Sequence, residues 1–263
     1  MIFTERDMRA YLENERVQLH RTLKGSVHDR ILEAMFAVPR EEFVDPMERL
    51  NAYENHAQPV PGHEEEASIS QPSTIADMLG FLDPQSSDFV VEVGTATGYQ
   101  AAIFGRLTRH VVSYEIIPEL AEIASRRLQK LGINNVEVRG VDANTDTTLA
   151  GHADKLIITA SVAPTEHLPL YALVKEGGAI VVPIGGLAGQ MHLCDLVRMR
   201  KTKDGLILEA KKPGYGFVPL QGGYGWRPYV DFIIDSHHKR FFERLMERTI
   251  RHTKTPSVQT RSQ

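Results

Sequence analysis

Phe89-Val-Val-Glu-Val-Gly-Thr-Ala-Thr-Gly-Tyr-Gln-Ala-Ala-Ile103 is the stretch that decides the fold. Val90, Val91 and Val93 form a short β-branched run bounded by turn residues, which predicts a buried strand. Gly94 and Gly98 permit a sharp bend and a close approach of backbone to a ligand. The helix expected from about Tyr99 aims its free N–H groups back at that bend. The unit reads either as a nucleotide-type binding corner or as a plain strand-to-helix turn. It departs from the dinucleotide fingerprint, because Ala96 holds the middle position and the third glycine is missing. A pyrophosphate is therefore not the preferred ligand. Glu115 closes the next apolar run, Val111-Val-Ser-Tyr114, where a carboxylate is able to accept two hydrogen bonds from a ribose diol.

Outward from this corner, strand and helix patterns alternate. Strands are expected at 89–93, 111–115, 136–139, 155–159 and 179–183, and helices at about 98–108, 118–131 and 166–175. Pro118 opens the second of these helices and Gly132 closes it. Such alternation implies right-handed crossovers and a parallel sheet, with any ligand outside the C-terminal strand ends. Glu92–Gly98, Glu115, Asp142 and Thr159 all fall there. Residues 191–200 and 206–219 alternate more strongly and predict an antiparallel pair around the Asp204-Gly205 turn.

Upstream, residues 5–37 read as helical, with Ser26 as a cap and Pro39 as the stop. An irregular polar stretch follows up to about Ser68, and its Glu64-Glu65-Glu66 run reads as a solvated loop. Pro72 suits a helix start, and on its own Ser70 reads as the cap of that helix. Downstream, 236–252 is an amphipathic pattern with Phe241, Phe242, Leu245, Met246 and Ile250 on one side. Six basic residues between 236 and 254 face two acidic ones, so the helix is either a solvated docked element or a partner site. His237-His238 reads as surface, and 255–263 as disordered.

The 263 residues suffice for one large α/β domain with additions. A net charge of -4 gives no reason to expect nucleic-acid binding. Cys194 is the sole cysteine, which excludes an internal disulfide and a cysteine-based zinc cluster. The histidines show no ligand-like spacing, so no metal is expected. No signal peptide and no apolar run of about 20 residues is seen, so the expected location is cytoplasmic, off the membrane.

Five blocks then carry a resemblance. Ala-Val-Pro-Arg-Glu-Glu-Phe-Val (37–44), Ser-Ile-Ser-Gln-Pro (68–72), Val-Glu-Val-Gly-Thr-Ala-Thr-Gly-Tyr-Gln-Ala-Ala (91–102), Gly-Gly-Ala-Ile-Val-Val-Pro-Ile-Gly (177–185) and Gly-Phe-Val-Pro-Leu (216–220) occur in this order. Together they resemble the protein-L-isoaspartate O-methyltransferase family. The resemblance implies a Rossmann-like methyltransferase sheet with helices on both faces. It implies S-adenosylmethionine as cofactor, with S-adenosylhomocysteine as product. It also implies methyl transfer to the free carboxylate of an isoaspartyl residue in a damaged peptide or protein, as repair. On this basis Ser70 is the expected catalytic residue. Ser68, Ile69, Glu92, Gly94, Thr95, Gly98, Glu115, Asp142, Ala143 and Thr159 are the expected cofactor contacts. Val218 and Gln221, with Ser70, are the expected substrate contacts. The implied division is an N-terminal and substrate-side part (1–87), a methyltransferase core (88–221) and a C-terminal extension (222–263).

The chain departs from the family pattern in places. Ala96 replaces a glycine, Gly140-Val-Asp-Ala-Asn144 replaces a more glycine-rich loop, and three glutamates precede Ser68. These changes keep two alternatives open: another peptide or small-acid carboxylate as substrate, or a cofactor-binding adaptor working through the basic helix.

Overall fold

The computed structural model describes residues 4–185, 193–225 and 234–254. The N-terminal helical region is two helices, α1 (Glu5–Leu23) and α2 (Asp29–Ala37), rather than one. Gly25 takes φ +83 between them, a conformation that breaks a helix and that glycine adopts without penalty. Ser26 does not cap α2: His28 holds that position, and the Ser26 hydroxyl donates back to the Leu23 carbonyl at 2.6 Å.

The polar stretch after Pro39 has more order than its composition suggests. Two short 3-10 turns (Arg40–Glu42 and Pro46–Asn51) lead into β1 (Gln58–Pro59), which pairs antiparallel with β2 (Ser68–Ile69). The glutamate loop is thus tied at its base, while Glu64, Glu65 and Glu66 stay exposed. Helix α3 (Pro72–Leu82) follows, with Gln71 rather than Ser70 at its N-cap and no side chain capping it.

The main sheet then forms: β3 (Phe89–Val93), α4 (Tyr99–Leu107), β4 (His110–Tyr114), α5 (Pro118–Lys130), β5 (Val136–Arg139), β6 (Ala153–Ile158), β7 (Val174–Ile184), β8 (Leu193–Thr202) and β9 (Gly205–Gly216). Its strand order is β5-β4-β3-β6-β7-β8-β9. The first five strands are parallel and the last two antiparallel, as the change of pattern after residue 190 implies. Order reverses between β3 and β6, the position at which open α/β sheets leave a crevice.

Side chains alternate along β3. Val90 faces the core shared with α2, α3, α4 and α5, while Val91 and Val93 face a second core. No helix spans 166–175. Pro169 lacks an N–H and restarts the chain only five residues before β7, leaving room for a 3-10 turn (Pro169–Leu173). The second core is closed instead by α6 (Ile234–Lys254), which buries Phe241 and Leu245. Met246 and Ile250, expected inward, are exposed, because only one narrow stripe of α6 meets β9. Arg244 and Arg248 both pair with Glu166, so part of the basic face is used within the molecule. The His237-His238 side chains and residues 255–263 lie outside the described residues, as does the start of the 191–200 strand. Among the described residues, no helix is long and apolar enough to cross a membrane.

Candidate active site

A cleft of about 1010 Å³ opens over the C-terminal ends of β3, β4 and β6. That is the upper end of the roughly 300–1,000 Å³ typical of small-molecule sites. One wall consists of strand ends and the glycine turn: Gly94, Ala96, Glu115, Asp142, Ala143 and Thr159. The other comes from outside the parallel sheet, from Glu65–Asp77 and from Gly214–Gln221, and includes Ser68, Ser70, Val218 and Gln221.

The turn wall is held by backbone. Gly94 N–H and Thr95 N–H donate to the Tyr114 carbonyl at 2.8 and 3.1 Å. The Thr159 hydroxyl lies within donating reach of the Gly94 carbonyl at 2.8 Å and the Val93 carbonyl at 3.1 Å, closing the switch point. Gly94 has φ +99, and a Cβ there would stand 2.1 Å from the Thr159 hydroxyl. At Gly98 (φ +96), a Cβ would meet Ala124 of α5 at 3.1 Å. Both glycines therefore serve internal packing as well as the turn. Ala96 takes φ +47, a left-handed conformation unusual for a residue with a Cβ. Its N–H donates to Glu115 Oε2 at 2.7 Å, and Ile117 N–H donates to Oε1 at 3.1 Å. Burial pushes the Glu115 carboxyl up, against these backbone donors.

Four expected contacts sit elsewhere. Glu92 does not line the cleft. It shares the Val90 face of β3 and is fully buried beneath the turn. There Ser113 donates to Glu92 Oε2 at 2.5 Å, while Oε1 has no partner. Burial, opposed by Ser113 and aided by the charge of Glu115, pushes its carboxyl up to about 8. Thr95 points the same way, its hydroxyl 2.5 Å from that of Ser113. Gly98 lies at the head of α4 and does not line the cleft. Ile69 is buried and borders only a small side pocket.

Asp142 lines the cleft, but both its oxygens are already engaged. Asn144 N–H donates to Oδ1 at 2.9 Å and Gly223 N–H to Oδ2 at 2.8 Å. Burial works to raise this carboxyl, and these donors override it and hold it low.

The outer wall depends on residues that the sequence pattern does not single out. Arg40 is fully buried. Its Nε donates to the Ala52 carbonyl at 2.8 Å and its Nη2 to the Ser70 carbonyl at 2.9 Å. Its guanidinium lies 4.8 Å from the Tyr99 ring centroid. Asp77 of α3 accepts from Lys212 Nζ at 2.8 Å and from the Tyr215 hydroxyl at 2.6 Å, tying β9 to this side. Ser161 exchanges backbone bonds with Val218 and Leu220, both at 2.8 Å. One signal for Arg40 does exist in the sequence: a charged residue among Val38, Phe43 and Val44, inside the block 37–44.

Residues 13–225 match the family model described as Protein-L-isoaspartate(D-aspartate) O-methyltransferase (PCMT). The chain belongs to this family. A protein-L-isoaspartate O-methyltransferase 2 from Pelobacter propionicus is 39% identical over 203 residues, 77% of this chain and 87% of the relative. A protein-L-isoaspartate O-methyltransferase from Dictyoglomus turgidum is 38% identical over 78% of this chain and 89% of its own. A solved protein-L-isoaspartate O-methyltransferase superposes with TM-score 0.69 at 28% identity, covering 80% of this chain and 67% of that one. A Plasmodium falciparum structure described as such an enzyme in complex with S-adenosyl-L-homocysteine gives TM-score 0.62 at 18% identity, over 78% of this chain and 97% of that one. The family match ends at Gly225, so α6 lies beyond it.

Proposed function

We propose that the chain transfers the methyl group of S-adenosylmethionine to the free carboxylate of an L-isoaspartyl residue in a damaged protein or peptide. The products are the methyl ester and S-adenosylhomocysteine. Beyond family membership, the observation that carries this reading is the chemistry of the cleft lining. Glu65, Glu66, Asp77, Glu115 and Asp142 line it, and among the described residues no Lys, Arg or His does. Such a lining suits a cationic ligand.

When bound, S-adenosylmethionine supplies a methyl group on a positively charged sulfur. Each Glu115 oxygen accepts one backbone N–H, and the remaining lone pairs suit ribose hydroxyls. Gly94 and Thr159 would hold the cofactor's amino-acid part, with Ser68 helping from the other wall, and Ala143 would hold the base. The acceptor carboxylate is already ionised at neutral pH, so no general base is needed. Ser70 would orient one oxygen of the acceptor carboxylate, leaving the other free to take the methyl group, and Val218 and Gln221 would border the peptide; this would be catalysis by positioning. Residues 1–87 would supply the acceptor side, 88–221 the cofactor side and 222–263 an added covering element, in a cytoplasmic protein whose one thiol, Cys194, is buried. Exposed Glu65 and Glu66 at the mouth favour acceptors without acidic neighbours.

Labelled cofactor offered with paired isoaspartyl and aspartyl peptides tests the proposal: transfer to the isoaspartyl member alone is expected, and equal or absent labelling refutes it. Ser70→Ala should cut turnover at least tenfold while S-adenosylhomocysteine binding persists.

A further inference from the structure

Helix α6 lies beyond the family match, yet two of its arginines reach a loop that supports the cleft. That loop, residues 161–168, leaves the C-terminal end of β6 and runs to the 3-10 turn at Pro169. Its first residue holds the outer wall: Ser161 N–H donates to the Val218 carbonyl, and Leu220 N–H donates to the Ser161 carbonyl, both at 2.8 Å. Val162 and Leu168 are buried in the same apolar cluster as Leu220, Phe241 and Leu245. Between these two buried residues the loop is anchored by Glu166.

Glu166 takes both of its hydrogen bonds from α6. Arg244 Nε donates to Oε1 at 2.8 Å, and Arg248 Nη1 donates to Oε2. The Glu166 side chain is only 8% exposed. Burial works to raise this carboxyl, and the two guanidiniums override it and hold it low. A carboxylate so enclosed leaves an uncompensated buried charge when its partners are removed, which is costly. The Arg251–Glu247 pair on the same helix is different: its side chains are 81% and 67% exposed, and a surface pair of that kind contributes little.

The helix is itself fixed to the sheet. The Arg248 guanidinium lies against the β8–β9 turn, where a Cβ on Gly205 would stand 2.9 Å from Nη1. The Thr249 hydroxyl meets both the N–H and the carbonyl of Leu208 in β9. β9 in turn runs directly into Phe217–Gln221 of the outer wall. α6 therefore spans from the strand that delivers this segment to the loop on which the segment rests. The turn wall has no such tie, because its main-chain bonds stay within the parallel strands at Tyr114 and Val93.

We propose that Glu166, held by Arg244 and Arg248, is a positioning residue for the methyl acceptor: through it α6 fixes the loop that places Val218 and Leu220 on the peptide side of the cleft. This inference rests on the methyl-transfer reading above. It gives the segment beyond the family match a part in acceptor binding and none in cofactor binding.

The test is steady-state kinetics of the full-length chain and its Glu166→Gln, Glu166→Asp and Arg244→Gln variants. An isoaspartyl peptide is varied at saturating S-adenosylmethionine, and S-adenosylhomocysteine binding is measured by calorimetry. Glu166→Gln keeps the shape and removes the charge that both arginines share. The peptide KM should rise about fivefold to tenfold, with kcat and S-adenosylhomocysteine affinity within about twofold. Retained S-adenosylhomocysteine binding also shows that the variant is folded. Glu166→Asp keeps the charge and should return KM to within about threefold of the unaltered chain. Should Glu166→Gln not fold, Arg244→Gln decides, since it removes only the half-exposed partner; a KM rise of about threefold is expected. An unchanged peptide KM, or an equal loss of peptide and S-adenosylhomocysteine affinity, overturns the positioning role while methyl transfer stands. No transfer by the unaltered chain removes the methyl-transfer reading and this role with it.

Discussion

The two walls of the cleft are built on different principles. The turn wall is continuous with the sheet: its positions follow from strand ends, and main-chain bonds to Tyr114 and Val93 fix it. The outer wall lies beyond the parallel strands, with only the end of β9 and the short β2 contributing strand to it. Segments distant in sequence meet there through side chains, Arg40 to Ser70 and Asp77 to Lys212 and Tyr215, and through the short Ser161 pairing. One wall is thus set by local sequence, the other by tertiary contacts. They should fail differently when altered.

The largest effect is expected on the outer wall. Arg40→Met leaves the Ala52 and Ser70 carbonyls unpaired and should cost roughly 3–5 kcal/mol in urea unfolding. A loss below about 1 kcal/mol would show that this wall does not depend on Arg40.

On the turn wall, Glu92 sets a pH dependence. Its carboxyl titrates near 4.5 when unfolded and is pushed up to about 8 in the fold. Between these values the folded protein binds more protons than the unfolded chain, so stability falls as pH rises. Each tenfold gain in proton affinity on folding corresponds to about 1.4 kcal/mol. The stability of Glu92→Gln relative to the unaltered chain should therefore rise by a few kcal/mol from pH 5 to pH 8. Parallel pH–stability curves would contradict a buried, protonated Glu92.

Gly94→Ala comes next, at roughly 2–3 kcal/mol, from a positive φ plus the collision with Thr159. Adding Thr159→Ala should recover the collision and leave the backbone cost of about 1–2 kcal/mol. Full recovery in thermal melts would place the whole effect in the side chain.

The smallest effect is at Ala96. Glycine at φ +47 relieves strain but loosens the unfolded chain, so Ala96→Gly should stabilise by only about 0.5 kcal/mol. A loss of stability would mean that Ala96 packs better than its backbone suggests.

The same division explains what was legible in the sequence. The strand–turn–helix, Glu115 and the parallel-to-antiparallel change follow from residue periodicity, and all stand in the structure. Glu92 was misplaced because a strand end predicts depth, whereas its parity with Val90 turns it under α4. The alternation of strands and helices predicts a helix at 166–175, but Pro169 leaves too few residues before β7 for it. Arg40 carries only a weak local signal, its apolar neighbours Val38, Phe43 and Val44, and that signal does not say whether the charge will be solvated or enclosed. Its burial is created by Ala52, Ser70 and Tyr99 arriving from elsewhere.

Helix α6 has a consequence outside the cleft. β9 is the outermost strand, 12 residues long, and such an edge invites another extended chain to hydrogen-bond to it. Thr249 occupies part of that edge, accepting from Leu208 N–H at 3.0 Å and reaching the Leu208 carbonyl at 3.2 Å. Chains cut before residue 234 would lose this cover together with Phe241 and Leu245. They would then stick to one another strand by strand, so that the segment beyond the family match acts as a guard against aggregation.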